Sequence, residues 1–307
     1  MNDINYTIII PHKNIPELLS RCIQSIPKRN DTEIIIIDDN SSDENKKKII
    51  TISESRQNTT CIINSYNKGA GHARNIGMQK AKGKWIIFAD ADDFFNYSFN
   101  DLLNDMLNVD CDLIFFNANS LDTTTYLPAN RANHLNSYIK KYAHNKNEAE
   151  TDLRYRFGEP WSRIIRKEII DQNNIKFDET PIHNDTTFSY LVGFHARKIA
   201  VDYRASYCIT VRSGSITTTI DEFKELTRIE VFARKEQFCK SNNIHIRPTW
   251  HYYQLAQFLL RNRTIFLKGQ QVLLDKGYNR ISIYLNMIYP LIRVIIRKFF
   301  NICINIV

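Results

Sequence analysis

The strongest constraint on this chain is a repeated pairing in its first third. A short β-branched run ends on a polar or acidic cluster, and a segment of helical period follows. The runs fall at residues 6–10, 33–37, 60–63, 85–89 and 113–116. Near-continuous apolar strands alternating with amphipathic helices belong to a mostly parallel sheet covered on both faces. Between the first two runs Leu18, Leu19, Cys22, Ile23 and Ile26 recur at helical spacing behind Pro16, a residue suited to a first turn. Asp43 stands where it would cap a helix beginning at Glu44, and residues 71–82 read as another helix stopped by Gly83. Ser98 is placed to cap a third helix running to about Leu107, so the order reads βαβαβαβα. Residues 120–150 are polar and rich in Asn and Thr, which predicts an irregular connection to a second block starting near Leu153.

With 307 residues, 43% of them hydrophobic, the chain can bury a core of doubly wound size and is neither disordered nor a small binding module. Its formal charge of +8 favours an anionic partner without choosing among nucleotide, nucleic acid and acidic lipid. Cys22, Cys61, Cys111, Cys208, Cys239 and Cys303 form no CxxC pair and mostly lie in apolar runs, which predicts reduced thiols and a cytoplasmic protein. The opening MNDINYTIII lacks the basic lead of a secretory leader, so secretion is not expected.

Ligands of open α/β sheets bind beyond the carboxyl ends of the strands, and here those ends are polar. The first run closes on Pro11, His12, Lys13 and Asn14, and the second on Asp38, Asp39, Asn40 and Ser41. Asn64 ends the third, whose loop supplies Gly69, Gly71, Arg74 and Asn75, and the fourth delivers Asp90, Asp92 and Asp93. Three carboxylates within four residues repel one another, and a divalent cation, Mn2+ or Mg2+, relieves that repulsion while leaving positions for phosphate oxygens. The plain alternative is that Asp92 or Asp93 caps a following helix, and Asp-Asp-Asn-Ser is equally good turn chemistry. Two acidic loops on one sheet favour a nucleotide site, with Asp39 accepting a base N–H, Asp90 accepting ribose hydroxyls and Arg74 facing phosphate. Gly69 and Gly71 permit close backbone approach, but neither GxGxxG nor a P-loop is present. Nucleic acid is excluded as the partner, because its phosphates would meet these acid clusters.

The segments YTIIIPHKN, EIIIIDDNSSD, NKGAGHARNIG and KGKWIIFADADD stand in the order and spacing of family 2 glycosyltransferases with the glycosyltransferase A fold. Residues 5–95 resemble the nucleotide-sugar-binding half of that family. A weaker similarity covers residues 155–218, through PWSRIIRKEII, NNIKFDETPIHNDTTFSYLVGF and YCITVRSGSIT. The resemblance implies the nucleotide-diphospho-sugar transferase fold: a mostly parallel central sheet flanked by helices, with a C-terminal helical extension. It implies a catalytic domain over residues 1–220, its nucleotide-sugar half at 1–118 and its acceptor half at 150–220, followed by a helical region at 221–307. It assigns Pro11, His12, Asn14, Asp39, Gly71, Arg74, Asp90 and Arg212 to nucleotide-sugar binding, Asp92 and Asp93 to the metal, and Asp185 to the catalytic base. Ser215 would lie beside Arg212 near the diphosphate or acceptor. Two departures stand out: Asn184 occupies the place of a Glu that usually accompanies the base, and Lys13 replaces a frequent aromatic.

The activity so implied is inverting transfer of a sugar from a nucleoside diphosphate sugar, a UDP-sugar being the expected donor. The acceptor would be a hydroxyl of a glycan or lipid-linked glycan, in bacterial surface polysaccharide synthesis. Asp185 would be ionised at neutral pH with an ordinary value of about 3.9, unless it merely caps the helix predicted at 186–195. The competing readings are a non-catalytic nucleotide-sugar or glycan-binding protein and a sugar nucleotidyltransferase. The tail from residue 281 is apolar with Arg293, Arg297 and Lys298 set into it. It reads either as a packed helix or as an interfacial helix holding the protein at the inner face of the cytoplasmic membrane.

Overall fold

The computed structural model of the protein describes residues 3–107, 109–212, 221–246 and 249–304. They divide into two compact units, Met1–Thr180 with Asn184–Ser215, and Pro181–His183 with Ile216–Val307.

The first unit is built on an eight-stranded sheet. Strands β1 (Tyr6–His12), β2 (Thr32–Asp39), β3 (Thr59–Asn64), β4 (Trp85–Phe88), β5 (Phe94–Phe95), β6 (Leu113–Asp122), β7 (Arg163–Arg166) and β8 (Ile199–Val211) lie in the order β3-β2-β1-β4-β7-β6-β8-β5. The helices are α1 (Pro16–Ser25), α2 (Asp43–Glu54), α3 (Ala70–Lys80), α4 (Phe99–Met106), α5 (Asn133–Tyr142), α6 (Lys146–Tyr155), α7 (Lys167–Gln172) and α8 (Thr186–His195). Strands β1 to β4 are parallel, as the alternating runs predict, and β6 also pairs in parallel with β8. The sheet is nevertheless mixed, because β7 enters antiparallel between β4 and β6. The chain returns from β6 through α5 and α6 into β7, which runs antiparallel to β6 beside it.

Burial explains the strand compositions: Ile8, Ile9, Ile10, Ile36, Ile37, Ile86, Ile87 and Phe88 are all fully enclosed. Phe88 packs edge-on to Phe177 and Phe188, with ring centroids 5.0 and 5.4 Å away, so aromatic packing fixes the end of β4 against α8. Residues 120–150 are more ordered than their composition predicts. The strand β6 runs to Asp122, and α5 and α6 bury narrow stripes through Leu135, Ile139, Ala149 and Leu153. Two caps also differ: Ser42, not Asp43, accepts the Asn45 N–H at the start of α2, and the Ser98 hydroxyl meets Ser206 at 3.0 Å rather than capping α4.

The second unit holds α9 (Glu222–Ser241), α10 (Trp250–Arg261), α11 (Arg263–Asp275) and α12 (Arg280–Ile304). Its core is formed by Ile229, Ala233, Tyr252, Leu255, Ala256, Leu273 and Ile283. Glu236, beneath it, accepts from the hydroxyls of Tyr252 and Tyr278 and pairs with Lys240. No helix among the described residues is long and apolar enough to cross a membrane.

Candidate functional site

The polar residues at the carboxyl ends of β1, β2 and β4 and at the start of α8 come together within the first unit, in two differently built groups.

The first group joins the β1–α1 and β2–α2 loops. Pro11 and His12 sit opposite Ile37 and Asp38 in the β1–β2 register. The ring of His12 is buried, its Nε2 accepts the Ile15 N–H at 3.1 Å, and its Nδ1 therefore carries the proton donated to Asp38 Oδ1 at 3.0 Å. Asp38 also accepts from the Ser41 N–H at 2.9 Å and from its hydroxyl. Burial raises the Asp38 carboxyl, but these bonds outweigh it and hold the group below its usual range. Asn14, at φ 54°, accepts the Ser42 N–H on its side-chain oxygen at 2.9 Å, while its own N–H donates to Ser41 Oγ at 2.8 Å. His12 and Asn14 therefore brace the loop frame, and Pro11 lends its backbone register. Asp39 faces the next loop, where it accepts the N–H groups of Lys68 at 3.0 Å and Gly69 at 2.9 Å.

The second group is centred on Arg74, which α3 carries. One Nη donates to Asp90 Oδ1 at 2.7 Å and the other to Asn184 Oδ1 at 3.0 Å, and the guanidinium lies over the Phe177 ring at 5.3 Å. Asn184 thus keeps a polar contact in the place where the resemblance expects Glu. Gly71 is needed here for packing, since a Cβ on it would fall 2.1 Å from the Asp178 carbonyl oxygen and 3.0 Å from Asn184 Cβ.

Asp90, Asp92 and Asp93 share one turn but point to different partners. Asp92 Oδ2 lies 3.1 Å from Arg212 Nε, and its backbone oxygen accepts from Arg21 and from the Thr210 hydroxyl. Burial and the neighbouring Asp90 push the Asp92 carboxyl up, with Arg212 opposing. Asp93, the second residue expected at the metal, is engaged by the protein itself. It is buried, accepting from the Tyr207 hydroxyl at 2.9 Å and the Thr210 N–H at 2.7 Å, and burial drives its carboxyl well above the usual range. Its oxygens are taken up by β8. Ser215 lies outside the described residues.

Asp185 occupies the N-cap position of α8, yet its side chain caps nothing. Desolvation pushes its carboxyl up to about 6, with Glu159 and Asp90 adding to the rise and Arg74 opposing it. The ordinary carboxylate expected from the sequence is thus a more basic one, close to the pH at which a general base works best. Behind it lies Arg163, fully enclosed over the Phe115 and Phe157 rings at 5.2 and 4.6 Å, its guanidinium pushed down by burial to about 9. Glu159 and Arg163 were not singled out by sequence, and neither were Arg21, Tyr207 and Thr210. The WSR segment was the only pointer to Arg163.

The donor set suits a hard divalent cation in one respect. Asp90 and Asp92 crowd each other, two arginines already supply counter-charge, and an oxygen-rich cation would relieve the same repulsion. Among the described residues no three carboxylates, imidazoles or thiols gather to hold a metal, so phosphate oxygens and water would complete its shell.

A family model described as Glycosyl transferase family 2 matches residues 7–173, and the chain belongs to that family. The uncharacterized glycosyltransferase EpsJ of Bacillus subtilis (strain 168) is 28% identical over 179 residues, which is 56% of this chain and 51% of EpsJ. The UDP-Glc:alpha-D-GlcNAc-diphosphoundecaprenol beta-1,3-glucosyltransferase WfgD of Escherichia coli is 36% identical over 97 residues, 31% of this chain and 38% of WfgD. The chain thus spans about half or less of the length of these curated relatives. In fold it is similar to S. aureus TarS 1–349, crystallised with UDP-GlcNAc, at a TM-score of 0.65 and 19% identity, covering 89% of this chain and 79% of that one.

Proposed function

We propose that this chain is an inverting glycosyltransferase that moves a sugar from a nucleoside diphosphate sugar, a UDP-sugar, to a hydroxyl of a lipid-linked glycan in bacterial surface polysaccharide synthesis. The observation that carries the reading is Asp185: a carboxylate at a helix start that caps nothing, raised to about 6, beside the Arg74–Asp90 pair. Asp185 takes the proton of the acceptor hydroxyl as its oxygen attacks the anomeric carbon from the face opposite the diphosphate. Arg74, linked to both Asp90 and Asn184, keeps the donor-side turn and the start of α8 in fixed relation, which favours a near-attack geometry. Arg212 and Arg21 offer positive charge to the leaving diphosphate. Asp92, with Asp90, would hold Mn2+ or Mg2+, which when bound supplies charge stabilisation to the diphosphate.

Family membership supports the transferase class over a nucleotidyltransferase or a scaffold. The lipid-linked acceptor is supported by WfgD, whose name states such a substrate, and the UDP donor by TarS. With such an acceptor the enzyme would work at the inner face of the cytoplasmic membrane. The test uses isotope-labelled UDP-sugars with a lipid-linked acceptor. Transfer by the parent, lost in Asp185→Asn with donor binding retained, is expected; undiminished transfer by that variant removes Asp185 from the mechanism.

A further inference from the structure

Helix α12 has two apolar faces. Ile283, Met287, Pro290 and Val294 follow at helical spacing and are buried in the second unit. On the other side Ile281, Leu285, Ile288, Ile292, Ile295 and Ile296 are 44–73% exposed. Projected at about 100° per residue, these six form one arc. Tyr284 and Tyr289, themselves exposed, bound it on either side, and Arg280 and Arg293 stand just outside the tyrosines. The Arg293 guanidinium lies 5.8 Å from the Tyr289 ring. From residue 280 to 304 the sequence holds Arg280, Arg293, Arg297 and Lys298 and no acid.

An apolar stripe of this length left in water is a docking surface rather than scattered surface chemistry. The occupant is indicated by the margins. Aromatic hydroxyls and cations on both edges of an apolar face match the boundary between acyl chains and anionic headgroups. A second copy of the same helix would bring like charge to like charge. The helix is not apolar enough to cross a bilayer, so it would lie along one. We infer that the exposed face of α12 is a docking surface for an anionic membrane, with Ile288 and Ile292 near its centre and Arg280 and Arg293 drawing it to acidic lipid. This inference stands apart from the transferase reading, because lipid binding requires neither donor nor acceptor.

The full chain would be floated with phosphatidylcholine vesicles, and with vesicles that also contain phosphatidylglycerol, at physiological salt. Co-flotation with the anionic vesicles, weaker with the neutral ones, is expected. The paired change Arg280→Glu with Arg293→Glu should lower partitioning at least about tenfold, since each basic residue contributes measurably at an anionic surface. Ile288→Ser with Ile292→Ser should lower it independently of lipid charge. Both variants alter exposed positions, and thermal melts verify that they fold. Absence of binding, equal partitioning of parent and folded variants, or a dimer dissolved by the isoleucine changes without any vesicle binding would each overturn the inference.

Discussion

Two carboxylates in this protein, Asp38, fully buried, and Asp185, half-buried, are driven in opposite directions by their surroundings. Asp38 receives His12 and Ser41 as donors and falls below its ordinary range. Asp185 lies at a helix start without a cap bond and rises to about 6. Burial alone therefore tells little about what an acid does. The count of donors aimed at it separates an acid that fastens two loops from one left available to accept a proton.

The sharpest break of this comparison is Asp185→Asn. Its turnover should fall by about 10²–10⁴-fold, the usual share of a general base, while isothermal titration shows donor affinity retained. Because its pKa is raised on folding, Asp185 costs stability that grows as pH climbs from its unfolded value through about 6. The same variant should therefore melt no lower than the parent at neutral pH. Asp38→Ala should do the reverse. Leaving His12 and Ser41 with unmet partners costs about 2–3 kcal/mol, read in calorimetry as a melting point lower by roughly 5–10 °C. Since the Asp38 value is depressed on folding, its stabilisation is present above the unfolded value and is lost as pH falls through the folded one.

A smaller effect is expected from Arg74→Lys. It keeps the charge but loses the fork joining Asp90 to Asn184, and steady-state kinetics should show kcat/KM down by about tenfold. The finest test is Glu159→Gln. Glu159 raises the Asp185 value, so its neutralisation should move the acidic limb of the kcat/KM profile to lower pH by a fraction of a unit, with the plateau unchanged. A limb that stays in place would detach Glu159 from Asp185.

Much of the framework was readable in advance. The isoleucine runs and the period behind Pro16 predict β1, β2, β4 and α1, because strands buried on both faces leave near-continuous apolar runs and a one-sided helix leaves a regular period. The helices α5 and α6 were hidden, since each buries only a few apolar residues in a stretch dominated by Asn, Lys and Glu. At the site, sequence located the polar strand ends but not the direction in which side chains turn. Nothing local distinguishes Asp92, beside Arg212, from Asp93, enclosed by β8. The altered basicity of Asp185 depends on Glu159 and Arg74, which only the assembled sheet brings near it.

The enclosure of Asp93 bears on how the long strand β8 finds its place. Both carboxylate oxygens are met by groups from that strand, the Tyr207 hydroxyl and the Thr210 amide. A slip of β8 by one residue would take both of these donors from an interior acid, at a cost in stability. The acidic turn thus gauges the alignment of the last stretch of β8, which also brings Arg212 opposite Asp92.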